Sequence, residues 1–249
     1  QRLSRSGAPM ATTLPPAPPR TPVTAVPVVV PVVGPVIVPA VRPTWRGVIH
    51  RVAVLVFVPV SIGLVALATA GADRVAVAVW ALGVATMLGV SATYHSGRFG
   101  PVGMRRLKRV DHSTILLAIA GSYTAFATLA LDGAAQTRLL AFVWVGAVAG
   151  VAIRLTWLHA PYPVVALVYV VVGWGALLEW GALAGALSTT QFALLLGGGL
   201  LYTLGAGVYA AHRPDPWPAT FGYHEVFHAL VVGGVALHLA AIATLVSPT

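Results

Sequence analysis

Long apolar runs, interrupted by short clusters of charge, proline and polar residues, set the pattern of this chain. Cutting at those clusters leaves seven stretches, at about 50–71, 75–95, 111–131, 137–156, 162–182, 190–211 and 224–246. Each approaches the roughly 20 residues a helix needs to cross a bilayer core of about 30 Å. The pattern predicts an all-α membrane protein, a seven-transmembrane helix bundle. Arg154, His159, Pro161 and Pro163 crowd the junction of the fourth and fifth stretches, and Glu179 sits near the end of the fifth.

The first 46 residues follow another rule. Pro27, Pro31, Pro35, Pro39 and Pro43 recur every fourth position among valines and alanines, after further prolines at 15, 16, 18, 19 and 22. Proline removes the helical donor and clashes with the preceding turn, so this stretch is not a helix. An extended chain in lipid would leave its backbone groups unsatisfied, which rules out an eighth span. Residues 1–46 are therefore expected to be a proline-rich, disordered cytoplasmic tail, and 47–249 the transmembrane domain.

Charge sets the orientation. Arg42, Arg46 and Arg51 precede the first span, and Arg98, Arg105, Arg106, Lys108 and Arg109 crowd the loop after the second. Arg154 and Arg213 follow at later exits on that side, against Arg74 and Arg138 opposite. Short basic loops stay cytoplasmic, so the N-terminus is expected inside, the C-terminus outside, and the chain in the cell inner (plasma) membrane. The formal net charge of +9 then reads as a topogenic signal and a contact with anionic lipid head groups. Its basic residues are too dispersed for a nucleic-acid footprint.

Composition agrees with the pattern: 58% of residues are hydrophobic and 8% charged. The chain has no cysteine, so disulfides, thiolate metal sites and cysteine nucleophiles are excluded, and a metal would be held by imidazole and carboxylate. Of six acids, Asp73, Asp132 and Asp215 fall in loops, leaving Asp111, Glu179 and Glu225 at or inside spans. Ionisable groups in spans are costly and mark a function or a paired interior site.

These groups converge by topology. The second span ends with Ser91 and His95 one turn apart, the third begins with Asp111, and the seventh begins with His224 and His228 one turn apart. All reach the same membrane face. Three neutral imidazoles with an open fourth position describe catalytic zinc, which brings the pKa of a bound water to about 7. In that reading His95, His224 and His228 hold Zn2+, Asp111 holds and deprotonates the water, and Ser91 donates a hydrogen bond to the water or to a substrate carbonyl. His50, His112, His159, His212 and His238 are expected to be structural or interfacial, and Glu225 to face the loop or pair with a basic residue. Trp45, Trp174, Trp180 and Trp217 fall near span ends, where aromatic belts form, and Gly197-Gly198-Gly199 permits close helix packing.

The patterns Ser91-x-x-x-His95, Asp111 opening the next span, Ala120-Gly121-Ser122-Tyr123-Thr124 within it, and His224-x-x-x-His228 together resemble the hemolysin III proteins. That is the bacterial branch of the progestin and adipoQ receptor superfamily, which includes adiponectin receptors. The resemblance spans about residues 47–246. It implies a seven-helix bundle with a cytoplasmic N-terminus and a zinc ion near the cytoplasmic side, held by the histidines at the matching positions. In related receptors and alkaline ceramidases such a site is associated with amide hydrolysis of ceramide-like lipids.

Other readings compete. His224-Glu225-x-x-His228 also matches a metalloprotease helix with Glu225 as general base, but downstream only His238 can ligate, ten residues past His228 and too deep in the span to share the ion. A structural zinc in a receptor or membrane-homeostasis sensor is the alternative from a different class. A lytic, pore-forming or transport activity lacks a ladder of polar residues through the spans. The expectation is a zinc-dependent hydrolase acting on a lipid amide or ester, with membrane lipids as partners and no nucleic acid.

Overall fold

The computed structural model describes residues 43–157 and 161–246. Most of the proline-rich tail, and His159, lie outside the described residues. Within the described residues, eight α-helices form seven spans. They are α1 (Val48–Leu67), α2 (Ala72–Ser96), α3 (Pro101–Ala130), α4 (Gly133–Thr156), α5 (Tyr162–Gly173), α6 (Trp180–Ala186), α7 (Thr189–Ala211) and α8 (Tyr223–Val246). A 3-10 turn, Gly175–Glu179, joins α5 to α6, and the three together make the fifth span. All seven spans are long and apolar enough to cross a membrane, so the chain is a multi-pass integral membrane protein. Among the described residues the sole β-pairing is an isolated bridge between Trp217 and Phe221.

The core-facing stripe of α2 explains its place in the bundle. Val77, Trp80, Val84, Leu88, Ser91 and His95 recur at helical spacing and are all buried. An apolar seam thus runs without a break into the polar residues at its end. In lipid the apolar surface alone does not drive helices together, and close packing over small residues takes its place. A Cβ on Gly83 would meet the Leu117 carbonyl at 3.1 Å, and one on Gly121 the Val79 carbonyl at 3.1 Å. Each glycine seats the other helix's backbone. Between α7 and α8 the exchange is of side chains: His238 fills the space over Gly198, and Tyr202 that over Gly234.

The fifth span is broken where sequence pattern predicts one continuous helix. Its break frees backbone groups inside the membrane, and these need partners. Tyr123, from the third span, supplies both: its hydroxyl donates to the Gly173 carbonyl at 2.5 Å and accepts from the Ala176 N–H at 3.0 Å. Nearby, the Trp174 indole donates to Thr203 at 2.8 Å, so this tryptophan faces the bundle interior and is not an interfacial anchor. Glu179 pairs with Arg138 through two bonds of 2.7 and 2.9 Å.

Ahead of α1, Pro43 to Arg46 fold onto the α7–α8 loop. The Thr44 and Trp45 N–H groups donate to the carbonyls of Ala219 and Thr220, and the Trp45 ring packs edge-on against Phe221. Gly47 then adopts φ 79°, and a Cβ there would fall 2.5 Å from Ser96 Oγ. Glycine therefore serves this position twice, through its left-handed backbone and its lack of a side chain.

Candidate metal centre

Alternating spans bring the start of α1, the end of α2, the first third of α3, the end of α4 and the start of α8 to one end of the bundle. His95 and His228 are buried there and His224 is half-buried. One ring nitrogen from each lies within 4.8 Å of the others, and Nε2 of His95 is 3.3 Å from Nε2 of His224. Two imidazoles on one tetrahedral zinc, with Zn–N near 2.05 Å, stand roughly 3.3–3.4 Å apart. That pair already has this spacing, and no separation in the set would need to close by more than roughly 1.5 Å. The donor set therefore fits a metal ion.

Asp111 and Ser91 complete the cluster. Asp111 is buried, and its Oδ2 lies 3.9 Å from Nε2 of His95. The Ser91 side chain is within hydrogen-bonding reach of that carboxylate. The five residues singled out from sequence are thus brought to one site, from three helices.

Sequence reasoning missed a fourth imidazole. His50, expected to be structural or interfacial, is 2% exposed and stacks on His228 with ring centroids 3.9 Å apart and planes 3° from parallel. Its position at the start of the first span was the available signal, because topology places that turn at the same end. His112 lines the same chamber as the histidine cluster and bonds Arg154 through Nδ1, and His238 lies deep in the bundle, bonded to the Leu195 carbonyl.

Glu225 is 1% exposed and engaged elsewhere. It pairs with Nε of Arg46 at 2.5 Å and accepts the Gly222 N–H at 3.0 Å. Pairing with a basic residue is what its sequence context suggests. A carboxylate held this way braces the first turn of α8 and does not line the chamber at the histidines, which leaves the H-E-x-x-H reading without its base.

That chamber is a cavity of about 1410 Å³, counting its open mouth. At one end lie His50, Ser91, His95, Asp111, His224 and His228; the walls beyond them include Val84, Met87, Ile115, Ile119, Val231 and Val235, and the far end Tyr202 and His238. Apart from those two ends, His112 and a few hydroxyls, its lining is hydrocarbon and aromatic.

The family model for haemolysin-III-related proteins matches residues 39–239. The chain belongs to the haemolysin-III family. It is 32% identical to Hemolysin-3 of Bacillus cereus over 140 residues, 56% of this chain and 61% of that protein. Over 130 residues it is 33% identical to a Hemolysin-3 homolog of Bacillus subtilis (strain 168), 52% of this chain and 58% of the relative. A shorter stretch of 61 residues is 46% identical to Heptahelical transmembrane protein 4 of Arabidopsis thaliana, 22% of this chain and 15% of that one. The matched stretches thus span about three fifths of the two Bacillus relatives' length. No solved structure matches the chain significantly.

Proposed function

We propose that this haemolysin-III protein is a zinc-dependent hydrolase that cleaves an amide or ester bond of a membrane lipid at the cytoplasmic leaflet. The observation that carries the reading is three converging imidazoles at the head of a long apolar chamber. Histidines without cysteine favour zinc among the common divalent ions. When bound, zinc would polarise a carbonyl and make water nucleophilic at neutral pH.

The chain's own residues would divide the remaining work. His95, His224 and His228 hold the ion. Asp111, at 3.9 Å from His95, orients the attacking water and takes its proton, and Ser91 steadies that carboxylate or donates to the substrate carbonyl. The apolar chamber receives an acyl chain and excludes water from all but the reacting end. The proposed orientation rests on the basic loops: the end holding the site also carries Arg105, Arg106, Lys108 and Arg109, and short basic segments favour the cytoplasmic side.

One observation favours a second reading. Asp111 is near enough to close the site as a fourth ligand after a small shift, and a site closed by four protein ligands is structural. The protein would then be a receptor or homeostasis sensor whose zinc ties α2 and α8 together.

Metal content by mass spectrometry, on detergent-purified wild type and a His224→Ala/His228→Ala variant, followed by a ceramide-like amide and ester panel, separates these readings. One zinc per chain, lost in the variant, with metal-dependent fatty acid release is the expected result. Stoichiometric zinc without turnover would select the structural reading. Wild type without bound metal would remove both.

A further inference from the structure

With 15 lysines and arginines against six acids, most cations of this chain have no carboxylate partner, and Arg154 is one that is also buried. All six acids lie among the described residues. Glu225 binds Arg46, Glu179 binds Arg138, Asp215 accepts the Tyr223 N–H, and Asp111 lies at the histidine cluster. Asp73 and Asp132 sit at the N-terminal ends of α2 and α4, at the other end of the bundle. Arg154, in the last turn of α4, has none of them.

Arg154 is 3% exposed. Its Nη2 meets Nδ1 of His112 at 2.7 Å, while Nε and Nη1 are sealed from solvent and have no hydrogen-bond partner among the described residues. Guanidinium only donates, so His112 accepts through Nδ1 and adds no negative charge. Arginines near the ends of membrane helices ordinarily reach out to water; this one is held inside. A second cation shares the helix face that meets Arg154, because Lys108 stands one turn before His112 on α3. Nε of Arg109 is likewise buried without a hydrogen-bond partner among the described residues. Arg105, Lys108, Arg109 and His112 stand at i, i+3, i+4 and i+7 on α3, which is one helix face.

We propose that Arg154, Lys108 and Arg109 form a binding site for a phosphate oxyanion, and that its occupant is the head group of an anionic phospholipid. Buried charge requires a counterion, and among the described residues no carboxylate forms an ion pair with Arg154, Asp111 being set at the histidine cluster. A phosphate answers several cations at once with several acceptor oxygens. Depth selects the lipid as its source. The 30 residues of α3 extend about 45 Å, against a hydrocarbon core of about 30 Å. The turns holding Lys108 and Arg109 therefore stand beyond the core, at the level of lipid phosphates. None of the three cations lines the apolar chamber, although His112 does, and in this proposal the head group approaches from the bilayer side. The inference stands apart from the metal reading, and its test does not use turnover.

The test is thermal unfolding of the intact protein in a neutral detergent, titrated with phosphatidylglycerol, phosphatidylcholine or inorganic phosphate, with native mass spectrometry to count retained lipid. Ligand binding to the folded state raises the melting temperature with concentration. Wild type is expected to rise and saturate with phosphatidylglycerol, to retain it in the mass spectrum, and to rise little with phosphatidylcholine. Arg154→Met should abolish the rise while keeping wild-type metal content. Lys108→Gln, on the more exposed side, should weaken lipid binding at least about tenfold, the loss of one charge-assisted bond; it carries the test alone if the arginine variant does not fold. An equal response to inorganic phosphate, lost in the same variants, would keep the oxyanion site and overturn the lipid as its occupant. A phosphatidylglycerol rise unchanged in both variants, or no rise in wild type, would overturn the site.

Discussion

Replacing Glu225 by glutamine tests whether this acid braces the fold or serves the metal centre. The carboxylate is 1% exposed and touches Arg46 at 2.5 Å, while the Arg46 side chain keeps 22% of its surface. The carbonyl oxygen of the introduced amide can still accept the Gly222 N–H, so the loss is confined to the ion pair. Breaking a buried pair costs about 3–5 kcal/mol, and the hydration Arg46 retains lowers that to about 2–3 kcal/mol. For a chain of this size the melting temperature should fall by about 4–12 °C, with zinc content unchanged. A double-mutant cycle with Arg46→Met isolates the pair: the single costs should not add, and the coupling should be at least about 1.5 kcal/mol. Additive costs, or Glu225→Gln that keeps wild-type stability and abolishes only turnover, would refute the brace and return Glu225 to a catalytic role.

Three further outcomes are expected. Tyr123→Phe leaves the Gly173 carbonyl and the Ala176 N–H unpaired in the membrane, and should cost about 1–3 kcal/mol in a reversible unfolding assay; a loss below about 0.5 kcal/mol would mean the break in the fifth span satisfies itself. Gly198→Ala puts a methyl 2.2 Å from the His238 ring and should destabilise by about 1–3 kcal/mol, with His238→Ala recovering part of the loss; additive costs would contradict the interlock. Asp111→Asn should keep one zinc per chain while turnover falls at least about 100-fold, and loss of the metal would make Asp111 a ligand instead.

Much of this architecture was legible because membrane helices announce themselves by length and hydropathy. The meeting of His95, Asp111, His224 and His228 needed only the alternation of spans. Helix ends were less legible, because hydropathy marks where a helix leaves lipid and not where it stops. Thus α3 begins at Pro101, ten residues before the apolar run, since arginine and lysine are good helix formers outside the membrane. The break near Trp174 was invisible for the opposite reason: its residues are as apolar as the helices beside it, and the group that satisfies it, the Tyr123 hydroxyl, lies 50 residues away. His50 carried a positional signal but no partner in sequence, and its stacking on His228 exists only once the first and last spans are adjacent.

That adjacency has a consequence in time. Arg46 and Glu225 are separated by 179 residues, and His95 and His224 by 129. At synthesis rates of about 5–20 residues per second, Arg46 waits roughly 10–40 s for its partner. Through that interval the first spans are in the membrane with one of the three clustered imidazoles and an unclasped entry segment. The last helix to be made supplies two of the three clustered imidazoles and the carboxylate that clasps Arg46, so the histidine cluster is completed only when the final span is in place.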